Sequence, residues 1–270
     1  MALEKRATRF DPLLLYLRRG KTPTNVWQHQ MSGLSENEII RRLEKIDTPT
    51  ISNVVAAYPE SDLCLKLYDA WSGQWYTDST MRCMCPELGP RLGYVATAIF
   101  CEKSNQYTGV HRWALPEHLD GTKKPVILVA KQAFQPFLAN RVGLFGGNLT
   151  AQYKALGCVG VVTDGPIRDI DEIRAMAFQY LATGVTPSHG EMIQRAVGVP
   201  VTVAGMTVNP GDVIHMDVHG AVKFPASRMT QVLENAQELL KREAEGRKLF
   251  EDTAFSLAKW KKIETAGSPD

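Results

Sequence analysis

The feature that most constrains this chain is an apolar run without alternation, "PVILVAK" (Pro125 to Lys131), followed by a second, "CVGVVTDG" (Cys158 to Gly165). A continuous apolar strand is buried on both faces, and that belongs in a layered α/β fold. Between the two runs, "GGNLTAQYKALG" sets Leu149, Tyr153 and Leu156 on one helical face, with Gly157 as the stop. After the second run, "IDEIRAMAF" starts another helix. The order is therefore helix, strand, helix. It delivers an adjacent Arg168 and Asp169 at the strand's C-terminal edge, where α/β sheets commonly present ligand-binding groups.

The rest of the chain is read around this unit. Ser35, with Glu38 three residues on, caps a helix predicted over 36–46, whose apolar face is Ile39, Ile40, Leu43 and Ile46. Pro49 is expected to stop it, and "TISNVVAAY" to begin a second short helix. Residues 1–35 mix charge and Pro23 without a steady period and read as an arm packed on the body or on another subunit. Residues 58–91, rich in turn formers, read as an irregular insertion or a hairpin. From "LGYVATAIFCEK" the pattern is β-rich, and "HRWALPEHLDGTKK" reads as a loop. Downstream, "NPGD" (Asn209 to Asp212) and "VHG" (Val218 to Gly220) are turn signals within a strand pair. Ser227 is the candidate cap of a C-terminal helix with a stripe of Met229, Val232, Ala236, Leu239 and Leu240, docked on the sheet or on a neighbouring subunit. The chain divides into an arm (1–35), a domain (36–240, with the insertion about 58–91) and a helical tail (241–270).

Composition narrows the class. With Lys+Arg 31 against Asp+Glu 29, there is no electrostatic case for nucleic acid. The run Leu13 to Leu17 is too short for a signal h-region or a membrane span, so a cytoplasmic protein is expected. Cys64, Cys83, Cys85, Cys101 and Cys158 are an odd number without paired zinc spacing and read as reduced, structural thiols.

The Arg168-Asp169 pair has a specific chemistry. A guanidinium is a planar fork suited to a carboxylate, and an aspartate is the usual anchor for a hard cation. The helix starting near Gly146-Gly147 adds free N–H groups directed at an anion. Together they suit an α-keto acid, with a metal polarising the keto oxygen. The same dipeptide is open to a plainer reading, a surface ion pair in which Asp169 caps "IDEI".

Taken in order, "IDTPTISNVV", "GYVATA", "GGNLTAQYKALGCVGVVTDGPIRDIDEI" and "VTVAGMTVNPGDVIHMDVHGAVKFP" resemble the RraA-like family, over roughly residues 36 to 240. That family includes the 4-hydroxy-4-methyl-2-oxoglutarate/4-carboxy-4-hydroxy-2-oxoadipate aldolases and the regulator of ribonuclease E activity. The resemblance implies a compact layered β/β/α fold, swivelling-domain-like, with an N-terminal helical arm and a C-terminal helix. It implies a homotrimer or homohexamer with the site at the subunit interface. It also implies that Asp169 holds Mg²⁺ or Mn²⁺ and that Arg168 binds the pyruvyl portion and steadies its enolate. The backbone at the Gly146-Gly147 helix start, at Asn148 and Leu149, would hold the substrate carboxylate. The activity implied is metal-dependent carbon-carbon lyase chemistry on small 2-oxo acids, oxaloacetate decarboxylation or 4-hydroxy-2-oxo acid cleavage; the alternative is a non-catalytic regulatory or protein-binding module.

Two departures stand against the aldolase pattern. Its acidic residue twenty-one positions before the arginine is here Gly147, and its acidic stretch near "DVHG" is thinned to Asp217 followed by Val218 and His219. Aldol cleavage needs a base and loses more by the first departure than decarboxylation does. Candidate replacements are His111, His189, His215 and His219, with His189 in "TPSHGE" ahead. Asp164 either assists or shapes its turn, and Asp212 reads as a turn residue.

Overall fold

The structure is a computed structural model that describes residues 33–265; residues 1–32 of the expected arm (1–35) and the last five residues of the tail lie outside it. The strands are β1 (Arg82–Cys83), β2 (Arg91–Glu102), β3 (Val126–Gln132), β4 (Cys158–Thr163), β5 (Gln179–Ala182), β6 (Met192–Val197), β7 (Val201–Val203), β8 (Met206–Val208), β9 (Val213–Asp217) and β10 (Gly220–Phe224). Eight of them form one sheet in the order β1-β5-β4-β3-β2-β9-β10, with β6 also on β2. Strands β2 to β5 run parallel, and the others join antiparallel. The length of β2 explains the branch. Its first half, Arg91 to Tyr94, pairs with β9, while Ala98 to Glu102 pairs with β6 across a register shift at Ile99/Phe100.

The helices are α1 (Glu36–Leu43), α2 (Thr48–Ser52), α3 (Ala114–Gly121), α4 (Gly147–Ala155), α5 (Ile170–Ala175), α6 (Met229–Glu251) and α7 (Leu257–Thr265). The run "PVILVAK" sorts its side chains by alternation. Val126, Leu128 and Ala130 pack with Leu115, Leu119, Tyr153 and Ile173 of α3, α4 and α5. Ile127 and Val129 pack with Val201, Val203, Met206 and Val208 of the β7–β8 hairpin. Hairpin, sheet and helices are thus the β/β/α layers, and each fully buried Val, Leu or Ile stabilises them by about 1.5–3 kcal/mol. A third cluster joins α1, α2 and α6 to Val213, Val222 and Phe224 at the sheet's other end.

Several local expectations are corrected. Helix α1 ends at Leu43, and residues 44–46 close in shorter-range bonds, Lys45 N–H to Arg42 O and Ile46 N–H to Leu43 O. Pro49 does not stop that helix but lies in the first turn of α2, where its missing N–H costs nothing and Asp47 caps the Thr50 N–H at 2.9 Å. The segment read as a loop holds α3: Leu115 and Leu119 are fully buried, and Pro116 falls in the first turn. Residues 58–91 are irregular rather than a hairpin, yet they are built in; Trp75 is buried and the Thr77 N–H donates to Ala221 O at 2.9 Å. The downstream strand pair is two hairpins, β7–β8 and β9–β10. Ser227 lies in a 3₁₀ turn, and α6 starts after it without a side-chain cap. Its stripe includes Leu233, and it runs unbroken past residue 240, so the division drawn there falls inside a helix.

The five cysteines are free, and burial raises the Cys83 thiol to about 11 and the Cys158 thiol to about 12, which keeps both protonated. No helix among the described residues is long and apolar enough to cross a membrane.

Candidate active site

The site begins where β4 ends. Asp164 turns the chain: its Oδ1 accepts the Gln132 N–H at 2.9 Å and its Oδ2 pairs with Lys131. The next residue must be small, because a Cβ on Gly165 would lie 2.1 Å from Gln132 Cδ. Ile167 then bridges Phe145 on one side and Val185 on the other, and the Arg168 N–H donates to Phe145 O at 2.9 Å. These bonds set Arg168 beside Gly146.

Asp169 has left-handed backbone (φ 56°, ψ 40°), a conformation aspartate tolerates better than most residues. The turn swings its carboxylate away from α5, which receives no side-chain cap. Oδ2 instead accepts the Gly147 N–H at 3.1 Å, in the first turn of α4. Capping of "IDEI", the plainer reading of this residue, does not occur. The ion pair with Arg168 exists at 3.5 Å, but both side chains are about one-third exposed, so it adds little stability.

The glycine pair is required by close approach. A Cβ on Gly146 would stand 2.4 Å from Asp169 Oδ2 and 2.9 Å from Arg168 Nε. A Cβ on Gly147 would stand 1.8 Å from Glu172 Oε2. Gly146, the N-cap of α4, has no side chain to cap it, and Asp169 takes only the Gly147 N–H, leaving the N–H groups of Asn148 and Leu149 for an anion. The helix start is held from behind. Thr150 Oγ1 donates to Gly146 O and meets the Tyr180 hydroxyl, each at 2.8 Å. Burial pushes the Tyr180 phenol far up, so it stays a donor.

A cleft of about 220 Å³ opens here, lined by Gly146, Asn148, Leu149, Arg168 and His189, with Leu144 and Met192 as apolar walls. His189 Nδ1 lies 2.8 Å from Gly190 O; a carbonyl only accepts, so Nδ1 carries the proton and Nε2 is left as the acceptor of the neutral ring. The other histidines stand elsewhere. His215 is fully buried, donating from Nε2 to Leu43 O at 3.1 Å and accepting from Thr48 Oγ1 at 2.9 Å. His111 faces Glu117 on the surface, and His219 sits in the β9–β10 turn. Asp164 is not in the cleft lining, and Asp212 closes its own turn on the Asn209 N–H at 3.0 Å.

Among the described residues no three His, Cys, Asp or Glu side chains converge on one point. A closed protein cage for a metal is therefore not built by the described residues. Mg²⁺, however, ordinarily keeps several waters and uses one or two carboxylates with substrate oxygens. Asp169, at the helix start and beside the cleft residue Arg168, fits that sparse donor set.

Sequence reading missed Leu144 and Met192 in the cleft lining and the approach of Glu172 to Gly147. The meeting of Glu172 with Gly147 has no signal in the sequence.

A family description, RraA-like (Aldolase/RraA), matches residues 64–223. An uncharacterized protein of Methanocaldococcus jannaschii is 31% identical over 131 residues, 46% of this chain and 62% of that protein. A 4-hydroxy-4-methyl-2-oxoglutarate aldolase of Thermus thermophilus is 35% identical over 86 residues, 32% of this chain and 52% of the enzyme. The chain thus spans between half and two-thirds of the length of these two relatives. Among solved structures, an unusual member of the RNase ES inhibitor RraA protein family from Streptomyces coelicolor superposes with a TM-score of 0.59 at 23% identity, covering 79% of this chain and 97% of that one. That likeness is one of fold.

Proposed function

The chain belongs to the RraA-like family, and from that premise we propose that it is a divalent-metal-dependent carbon-carbon lyase acting on small pyruvate-type 2-oxo acids. One observation carries the reading: Arg168 and the first turn of α4 at Asn148 and Leu149 line the same small cleft. A guanidinium fork facing free backbone N–H groups is a carboxylate site made from two independent elements. At about 220 Å³ the cleft is below the range of drug-sized ligand pockets and suits an acid of a few carbons.

Each residue then has a part. The N–H groups of Asn148 and Leu149 would hold the carboxylate, and Arg168 would stand where negative charge grows as the bond breaks, a preorganised charge worth more in the cleft than in water. Asp169 would hold Mg²⁺ or Mn²⁺, which when bound supplies Lewis-acid polarisation of the 2-oxo oxygen. His189, with Nε2 free to accept, is a candidate for moving a proton at the cleft mouth. Decarboxylation of oxaloacetate asks only for charge stabilisation, whereas cleavage of a 4-hydroxy-2-oxo acid also asks for a base. The family premise further carries a homotrimer or homohexamer.

Calorimetric titration of pyruvate into the protein with Mg²⁺ tests the binding half. Saturable binding that weakens at least tenfold in Arg168→Ala is expected; equal affinity in that variant sinks the assignment. Binding without turnover of any 2-oxo acid favours the non-catalytic module that the bare Gly147 suggests.

A further inference from the structure

Cleavage of a 4-hydroxy-2-oxo acid requires a group to take the 4-hydroxyl proton, and residue 147 has no side chain to do it. The space such a side chain would need is occupied. From an ideal Cβ on Gly147, Glu172 Oε2 is 1.8 Å away, its Cδ 2.9 Å and its own Cβ 3.2 Å. Gly147 is itself buried, and its N–H is taken by Asp169 Oδ2 at 3.1 Å. Two carboxylates from the start of one helix therefore close on a single residue, Asp169 at its nitrogen and Glu172 over its Cα. The left-handed turn at Asp169 and the three-residue spacing to Glu172 bring this about.

We propose that Glu172 is the acid/base carboxylate for carbon-carbon cleavage in this site, and that residue 147 is glycine because the Glu172 carboxylate occupies the place of a side chain there. The inference rests on the lyase reading above. In the step, Glu172 takes the 4-hydroxyl proton, and the O–H electron pair becomes the carbonyl of the departing product. The C3–C4 bond breaks, its pair passes into the enolate of the pyruvate half beside Arg168, and the proton is returned from Glu172 to C3. Protons and electrons balance without a co-reactant. Asp164 does not compete for the role, since both of its oxygens are engaged, Oδ2 by Lys131 and Oδ1 by the Gln132 N–H at 2.9 Å. A plainer role for Glu172, a negative charge near the start of α4, would affect every reaction of the site equally.

The test compares two reactions of the same Mg²⁺-loaded protein: pyruvate release from oxaloacetate and from 4-hydroxy-4-methyl-2-oxoglutarate. Glu172→Gln should lower the ratio of cleavage to decarboxylation by about 100-fold or more, the usual worth of a positioned acid/base group. Gly147→Asp combined with Glu172→Gly should recover part of the cleavage. His189→Asn is carried alongside. The inference is overturned by a Glu172→Gln protein whose ratio matches wild type, by the ratio changing only in His189→Asn, or by a wild type that decarboxylates but never cleaves. Loss of the underlying reading looks different: wild type then catalyses neither reaction, or Arg168→Ala changes neither rate.

Discussion

Asp169 Oδ2 and the Gly147 N–H lie 3.1 Å apart, so a carboxylate at the start of one helix is bonded to the first turn of another. This bond, with the closeness of Arg168 to Gly146, joins the charged pair to the start of α4.

Gly146→Ala puts a methyl 2.4 Å from Asp169 Oδ2 and 2.9 Å from Arg168 Nε, atoms that yield by side-chain movement. The expected protein is folded, destabilised by no more than about 1–3 kcal/mol, and impaired at least tenfold in kcat/KM for a 2-oxo acid. Urea unfolding beside steady-state kinetics checks this; full activity shows that the Arg168 and Asp169 positions do not matter.

Tyr180→Phe removes the hydroxyl that meets Thr150 Oγ1 at 2.8 Å in a buried site. A loss of about 0.5–1.5 kcal/mol is expected, and Thr150→Val should cost more because it strands the buried Tyr180 hydroxyl, while the Gly146 carbonyl keeps the backbone N–H of residue 150 at 3.0 Å. Thermal denaturation of the two variants reads the order directly.

His215 is buried with its ring neutral, and burial holds its pKa below the ordinary 6.5, although Asp217 and Asp47 nearby pull it upward. Its stability contribution is fully present above pH 6.5 and declines as pH falls from 6.5 toward the lowered value, because only the unfolded chain takes up the proton. The slope from this one group reaches at most about 1.4 kcal/mol per pH unit. Urea midpoints between pH 7.5 and 5 should fall, and the fall should be shallower in His215→Asn.

How far the fold was legible depended on how local its causes are. The run from Val126 to Ala130 announced its two-sided burial, and Gly157, at φ 87°, ended α4 where expected. Helix α3 was hidden because Pro116 and Gly121 look like breakers, whereas burial of Leu115 and Leu119 decides the matter. Strands β5 and β6 are short and of mixed polarity, and pairing with β4 and β2 makes them strands. At the site, the residues of one continuous motif, Gly146, Asn148, Leu149 and Arg168, were legible and line one cleft. Met192 and the contact of Glu172 with Gly147 arise only from folding, so no spacing rule reaches them.

The most direct measurement of the central claim is the rate of pyruvate release from oxaloacetate by the purified protein with Mg²⁺ or Mn²⁺, beside metal-free protein, Arg168→Ala and Asp169→Ala. Turnover above the free-metal background that needs the metal and is lost at least a hundredfold in Arg168→Ala, as expected for removing a preorganised charge at the reacting centre, with metal dependence abolished in Asp169→Ala, is the predicted result. Equal rates in wild type and both variants would contradict the claim.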